Sequence, residues 1–353
     1  MRRTIPLLSG LAILVVLLNH VTWHILRDYT PGMANLLPAL PYIILDQIGK
    51  FAVPAFVFTS GYFIAYTTSD GRKDLKWSVV QARLLGLIWP WLIWTAIFSL
   101  MQVLNNIQLD WKIILSNFFI QYYFIPLLLE YYLLAMIVVP LAKTHMRELL
   151  LGAAILQLAL IAVFYARVYL PSFPPEWYPY VDIGPVRDLR FVFFFPLGIA
   201  AGMHLRELRN WLISLKAAMP YLIIFFFVLQ SIEAAAAFSM GPQFFPIGAD
   251  QTRLSSALFA LSVLLTFSLY ERIPMPFHKF ITFAGANTFG YYLSHYIILG
   301  ALDRVLMMVV PWLGAVDWLQ LPVLFAGLLA ISTGMMEAVK RLPVKRFYRY
   351  VFG

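Results

Sequence analysis

Hydrophobic positions come in runs of about twenty along this chain, separated by short connections where charge, proline and glycine collect. Wound as a helix, a run of that length matches the hydrocarbon thickness of a bilayer. Ten such runs are read, at roughly 5–26, 42–67, 78–103, 122–142, 149–170, 190–205, 218–238, 253–270, 280–302 and 318–339. The pattern predicts an all-α, polytopic integral membrane protein with about ten transmembrane helices. No internal repeat or soluble stretch divides it, so residues 1–353 are expected to form a single membrane-embedded domain. The first run is longer than the apolar core of a signal peptide, and no small-x-small cleavage site follows it; it is expected to stay as a span. Asn105 to Phe118 is too polar and short to cross, and is expected as a loop or surface-lying piece.

Composition supports this reading. Of 353 residues, 61% are hydrophobic and 12% charged, with a mean hydropathy of +0.79. A soluble domain of this length carries about twice that share of charge. Cysteine is absent, which excludes disulfides and thiolate metal sites. The formal net charge of +9 raises nucleic acid as a partner, but the placement of the bases argues otherwise. With a cytoplasmic N-terminus, ten spans put 18 of the 26 lysines and arginines on the inner side. They include Arg2, Arg3, Arg72, Lys73, Arg272, Lys279 and the group from Lys340 to Arg349. This is the positive-inside bias. The excess charge is topological, both termini are expected in the cytoplasm, and the expected surroundings are membrane lipids with no nucleic acid.

The expected outer connections differ in character. Residues 171–188 read PSFPPEWYPYVDIGPVRD and 239–252 read SMGPQFFPIGADQT. Proline, glycine and aromatics make such segments irregular loops. The aromatics suit the membrane interface or stacking on sugar rings.

Polar residues inside the runs are few, and an intramembrane titratable group usually faces the bundle interior and marks a site. His20 and His24 lie four apart in IPLLSGLAILVVLLNHVTWHIL and so share one helix face. His20 reads either as a site residue or as hydrogen-bonding glue between helices. His24 reads as a site residue or as part of the outer headgroup layer. Counting about 1.5 Å per residue puts His20 about 22 Å above the inner start of its span. His295, fifteen residues beyond Phe280, and Glu130, entering its span from the outer side, reach a similar depth. A carboxylate near histidines orients an imidazole and raises its basicity, as general-base chemistry requires. The same three residues also read as a strut joining the first, fourth and ninth spans.

Arg83 opens the third run and reads as a phosphate-binding cation or a side chain snorkelling to headgroups. Thr59, Ser60 and Gly61 form a small polar patch in the second run. Asp46 and Lys50, one turn apart, are expected to pair; Glu233 is an intramembrane acid without an assigned role. Two histidines at i, i+4 fall short of a zinc set, so no metal is expected. No Walker or Rossmann glycine motif and no G-x-S-x-G elbow occurs.

Taken in order, GLAILVVLLNH, VPAFVFTSGYFIAY, RLLGLIWPWLIW, YYFIPLLLEYYLL, FVFFFPLGIAAG and NTFGYYLSHYIIL resemble the successive helix motifs of the bacterial integral-membrane acyltransferase family 3, of O-acetyltransferase type. Each alone is an unspecific apolar pattern; six in this order are specific. The resemblance implies transfer of an acyl group, typically acetyl, from cytoplasmic acyl-CoA (acetyl-CoA) to a hydroxyl on an extracytoplasmic cell-envelope glycan or lipid-linked sugar. It implies residence in the bacterial inner membrane. The family's first-helix histidine is catalytic, so His20 would be the general base for the acceptor or a transient acyl carrier. His295 and Glu130 are taken as its catalytic partners. Arg83 matches a basic third-helix position and would contact the CoA phosphates; Ser60 and Tyr292, matched in the second and late helix motifs, are taken as donor-site residues. Two positions depart from the pattern. Ser9, eleven residues before His20, and Gly86, three after Arg83, stand where the family commonly has arginine. Those departures leave open a non-enzymatic exporter or flippase-like role, as in polysaccharide-export relatives from biofilm exopolysaccharide operons. They also leave open a scaffold that binds other envelope enzymes.

Overall fold

A computed structural model describes residues 4–26, 37–68, 74–105, 107–241, 244–270 and 273–353. The bases Arg2, Arg3, Arg72, Lys73 and Arg272 lie outside the described residues. Helices carry the fold, and no strand occurs among the described residues. That follows from the apolar runs, because backbone polar groups away from water must be bonded within their own segment.

Helix α1 is Ile5–Leu26. Helix α2, Leu40–Ile48, continues through a tight turn at Gly49–Phe51 into α3, Ala52–Thr67. Next come α4, Trp77–Leu104, and the short α5, Trp111–Ser116. Asp110 caps α5 by accepting from the Ile113 N–H at 2.8 Å, and Trp111 stands exposed. The piece between the third and fourth spans, expected as a loop or surface-lying piece, thus contains a short helix. Then follow α6, Phe124–Thr144, and α7, Met146–Tyr169. After them run α8, Phe194–Met203, α9, Leu205–Leu212, and α10, Met219–Ser239. The chain closes with α11, Leu254–Leu269, α12, His278–Ala286, α13, Thr288–Val309, and α14, Asp317–Arg341.

Among the described residues, nine helical stretches are long and apolar enough to cross a membrane. The remaining expected span, 190–205, contains only the ten-residue α8. Ten residues rise about 15 Å, half a hydrocarbon core. Its approach is a 3-10 turn at Leu189–Phe191, and the Phe193 N–H ahead of α8 donates to Gln157 Oε1 on α7 at 3.0 Å. Helix α8 lies in the middle of the bundle, with Phe194, Phe195, Leu197 and Ile199 all buried.

Glycine fixes the two tightest seams. A Cβ on Gly198 of α8 would run into the Phe58 carbonyl of α3, and one on Gly61 of α3 into the Phe195 carbonyl of α8. The pairing of 58 with 198 and 65 with 202 makes α3 and α8 parallel. A Cβ on Gly10 of α1 would meet the Ile281 carbonyl of α12, and one on Gly285 the Pro6 carbonyl. Small residues let helix backbones approach this closely.

The expected ninth span, 280–302, is broken. Helix α12 ends at Ala286 and α13 begins at Thr288. Asn287 stabilises the break by donating to the Phe283 carbonyl at 2.8 Å, while its Oδ1 accepts from Lys340 Nζ at 2.9 Å and Tyr348 OH at 3.1 Å. His295 is therefore seven residues into α13, and its depth cannot be counted from Phe280.

Candidate active site

Two cavities lie against different levels of α1. Residues Ser9 and His20 belong to one each, and eleven residues separate them, about 16 Å along the helix.

The His20 cavity has a volume of about 340 Å³. Helix α1 supplies Val16, Asn19, His20 and Trp23, a stripe at helical spacing, and the α2–α3 joint supplies Gly49, Lys50 and Val53. Arg187 and Phe191 come from the connection before α8, and Ala249 to Thr252 from the connection before α11. Both loops that the sequence marked as irregular therefore fold over His20.

A buried carboxylate organises this wall. Asp46 Oδ1 accepts from Asn19 Nδ2 at 2.5 Å, from Trp23 Nε1 at 2.7 Å and from Lys50 Nζ at 2.9 Å. Its Oδ2 accepts from Gln47 Nε2 at 2.7 Å and lies 2.8 Å from Lys50 Nζ. The expected Asp46–Lys50 pair forms, and Lys50 also donates to the Ala249 carbonyl at 2.7 Å. Behind it Arg253, fully buried, donates to Gln47 Oε1 and to the Gln230 carbonyl. Glu233 is tied to Tyr165 and Ser255, with Arg253 3.9 Å away. On the opposite wall Gln251 Nε2 donates to Tyr123 OH at 2.7 Å, and the Arg187 guanidinium lies 5.2 Å from the Tyr123 ring centroid. Arg187 Nε also pairs with Asp188 at 3.2 Å. Burial holds the Asp188 carboxyl above the usual carboxylate range, and the Arg187 charge opposes that shift.

The Arg83 cavity has a volume of about 430 Å³. Ser60, Arg83 and Tyr292, the three expected donor-site residues, all line it, together with Thr59. Ser9 and Gly86, the two departures from the family pattern, line it as well. Its remaining wall is largely apolar, including Phe56, Phe63, Leu87, Phe124 and Leu128. Arg83 is exposed on it.

A group of rings stands between the two cavities. His20 and His295 have centroids 4.5 Å apart, and His295 and Tyr292 5.7 Å. Phe124 packs edge-on to Tyr292 at 5.4 Å. His20 thus borders one cavity, Tyr292 the other, and His295 lies between them. His295 Nδ1 is 2.5 Å from the Tyr292 carbonyl. A carbonyl only accepts, so that nitrogen carries the proton and Nε2 presents a lone pair. His295 Nε2 is buried without a hydrogen-bond partner, and the buried Tyr292 O–H has no acceptor.

Glu130 is placed elsewhere. It lines neither cavity, and the charged groups acting on it are Asp188 and Arg187. His24 pairs with Asp303 of α13 at 2.9 Å. No group of three or more potential metal ligands occurs among the described residues. Sequence reasoning missed Asn19, Trp23, Lys50, Tyr123, Arg187 and Gln251 as cavity residues. Asn19 and Trp23 were detectable, since they flank His20 on its own helix face.

The long apolar helices define a polytopic membrane protein, and half-buried His20 and buried His295 stand between its two cavities. A family model described as an acyltransferase domain matches residues 5–337. The chain belongs to this family, acyltransferase family 3, and is a membrane acyltransferase by that membership. No curated protein and no solved structure matches the chain.

Proposed function

We propose that the protein moves an acyl group, most simply acetyl, from cytoplasmic acyl-CoA to a hydroxyl of an extracytoplasmic cell-envelope glycan or lipid-linked sugar. The observation that carries this reading is the ring wall between two separate cavities. A donor in the Arg83 cavity and an acceptor in the His20 cavity can meet at His20 and His295 without either molecule crossing. The same wall argues against passage of a whole sugar chain, which requires a continuous polar path.

The residues divide by cavity. In the His20 cavity Trp23 and Tyr123 offer aromatic faces to a sugar ring, while Asn19, Arg187 and Gln251 offer hydrogen-bonding groups. His20 is the general base that takes the acceptor proton, and His295 is its neighbour across the wall. In the Arg83 cavity Arg83 faces the donor phosphate, and Ser60 and Tyr292 face the thioester arm. A thioester is activated, so proton removal and stabilisation of the developing oxyanion account for most of the required catalysis. The topology that goes with this reading places both termini in the cytoplasm of a bacterial cell and the protein in its inner membrane.

The test is acetyl-CoA binding and turnover by purified protein, wild type beside His20→Ala. Saturable turnover that His20→Ala loses, with unchanged folding, is the expected outcome. Full turnover by His20→Ala refutes the assignment of His20. An absence of donor binding by wild type removes the acyl-CoA reading and leaves the glycan-export alternative.

A further inference from the structure

We infer that the Tyr292 hydroxyl is the catalytic hydrogen-bond donor to the thioester oxygen, the group that holds the oxyanion as the acyl group changes carriers. This rests on the acyl-transfer reading above and adds a residue role to it.

Hydrogen bonding at Tyr292 is anomalous. Buried hydroxyls nearly always have partners, and one left without is costly. Tyr292 is buried, 7% exposed, and its O–H proton has no acceptor, while the Phe124 backbone N–H faces its oxygen. Nearby tyrosines are satisfied: Tyr122 donates to the Leu293 carbonyl at 3.3 Å, and Tyr131 to the Asp188 carbonyl at 2.8 Å. Tyr292 also lines the Arg83 cavity and touches His295, which touches His20. An unspent donor stands where the donor's carbonyl must meet the acceptor.

His295 cannot take this role. Its proton is committed on Nδ1 to the Tyr292 carbonyl, and its free Nε2 is a lone pair that would repel an oxyanion. Tyrosine O–H is one of the side-chain donors that build oxyanion holes. The bond from His295 back to the Tyr292 carbonyl also braces both residues on one turn of α13.

The step balances without any other reactant. His20 takes the proton as the acceptor oxygen bonds to the thioester carbon. The carbonyl electron pair moves onto oxygen, which accepts the Tyr292 O–H. Collapse re-forms the carbonyl and breaks the carbon–sulfur bond, and the thiolate takes the proton back from His20.

The experiment uses full-length protein in detergent or nanodiscs and compares wild type, Tyr292→Phe and His20→Ala. Removing one oxyanion donor costs about 10²–10³ in kcat, so Tyr292→Phe should lose turnover of acetyl-CoA by that factor. Binding of S-ethyl-CoA, a thioether that lacks the carbonyl oxygen, should be unchanged. The melting temperature should stay close to that of wild type, because the lost O–H had no acceptor. Turnover within about threefold of wild type, with His20→Ala inactive, overturns the role of Tyr292 alone. A lowered melting temperature or weakened S-ethyl-CoA binding overturns it too, by making the hydroxyl structural. If wild type itself turns over no acetyl-CoA, the acyl-transfer reading falls and this role with it.

Discussion

Asp46→Asn tests the organisation of the His20 cavity most directly. The carboxylate is fully buried and accepts from Asn19, Trp23, Gln47 and Lys50. Lys50 is 4% exposed, and its other partner is the Ala249 carbonyl. Neutralising Asp46 leaves a buried ammonium without its counter-charge, and breaking one side of such a pair costs about 3–5 kcal/mol. Removing both charges should cost far less, since replacing a whole buried pair is often neutral. The informative design is therefore a cycle of Asp46→Asn, Lys50→Met and the double variant, with a coupling energy of a few kcal/mol. Measured as thermal stability of monodisperse protein in detergent, each single variant should melt on the order of 10 °C lower, with the double recovering most of the loss. Single effects below about 1 kcal/mol that simply add in the double variant would refute the reasoning, because they would mean that water solvates Lys50 from the cavity.

Three further outcomes follow from the packing and from the Arg83 cavity. Gly198→Ala should destabilise by about 1–3 kcal/mol through overpacking, because its Cβ meets the Phe58 backbone; Gly152→Ala, with nothing within 4 Å, is the control, and equal melting of the two variants counts against the seam. Arg83→Ala should weaken acetyl-CoA binding while leaving acceptor binding alone. Gly86→Arg, whose Cβ also meets nothing within 4 Å, should strengthen acetyl-CoA binding by roughly fivefold, about 1 kcal/mol of added charge interaction. An unchanged donor Kd in both would return Arg83 to lipid headgroups.

The sequence made the class of fold legible because crossing a membrane demands long apolar helices, and such runs can be counted. Neighbours one turn apart were legible for the same reason: Asp46 and Lys50 are brought together by helix geometry alone. Depth counting was less secure. It is a one-dimensional coordinate, silent about which way a residue faces around its helix, and so it grouped Glu130 with two histidines that it does not join. It also assumed unbroken helices, and Asn287 breaks one using partners from the last fifth of the chain. His20 and His295 do meet, but the six motifs in order were the stronger signal for that pairing. The walls of the His20 cavity were not legible, since Lys50 to Ala249 and Gln251 to Tyr123 are contacts across more than a hundred residues.

The glycine seam between α3 and α8 has a mechanical consequence. Two backbones already in contact cannot be compressed, so the side of the Arg83 cavity that carries Thr59 and Ser60 is stiff. The facing side, α4, is little buried along its length and contains Pro90, which denies the Gly86 carbonyl its usual i+4 partner. Stiffness is thus distributed unevenly around the cavity, with the yielding side bearing Arg83 and Gly86. Any widening of this cavity therefore falls to deflection of α4 towards the lipid, while α1 and α13 hold the His20 and His295 rings in register.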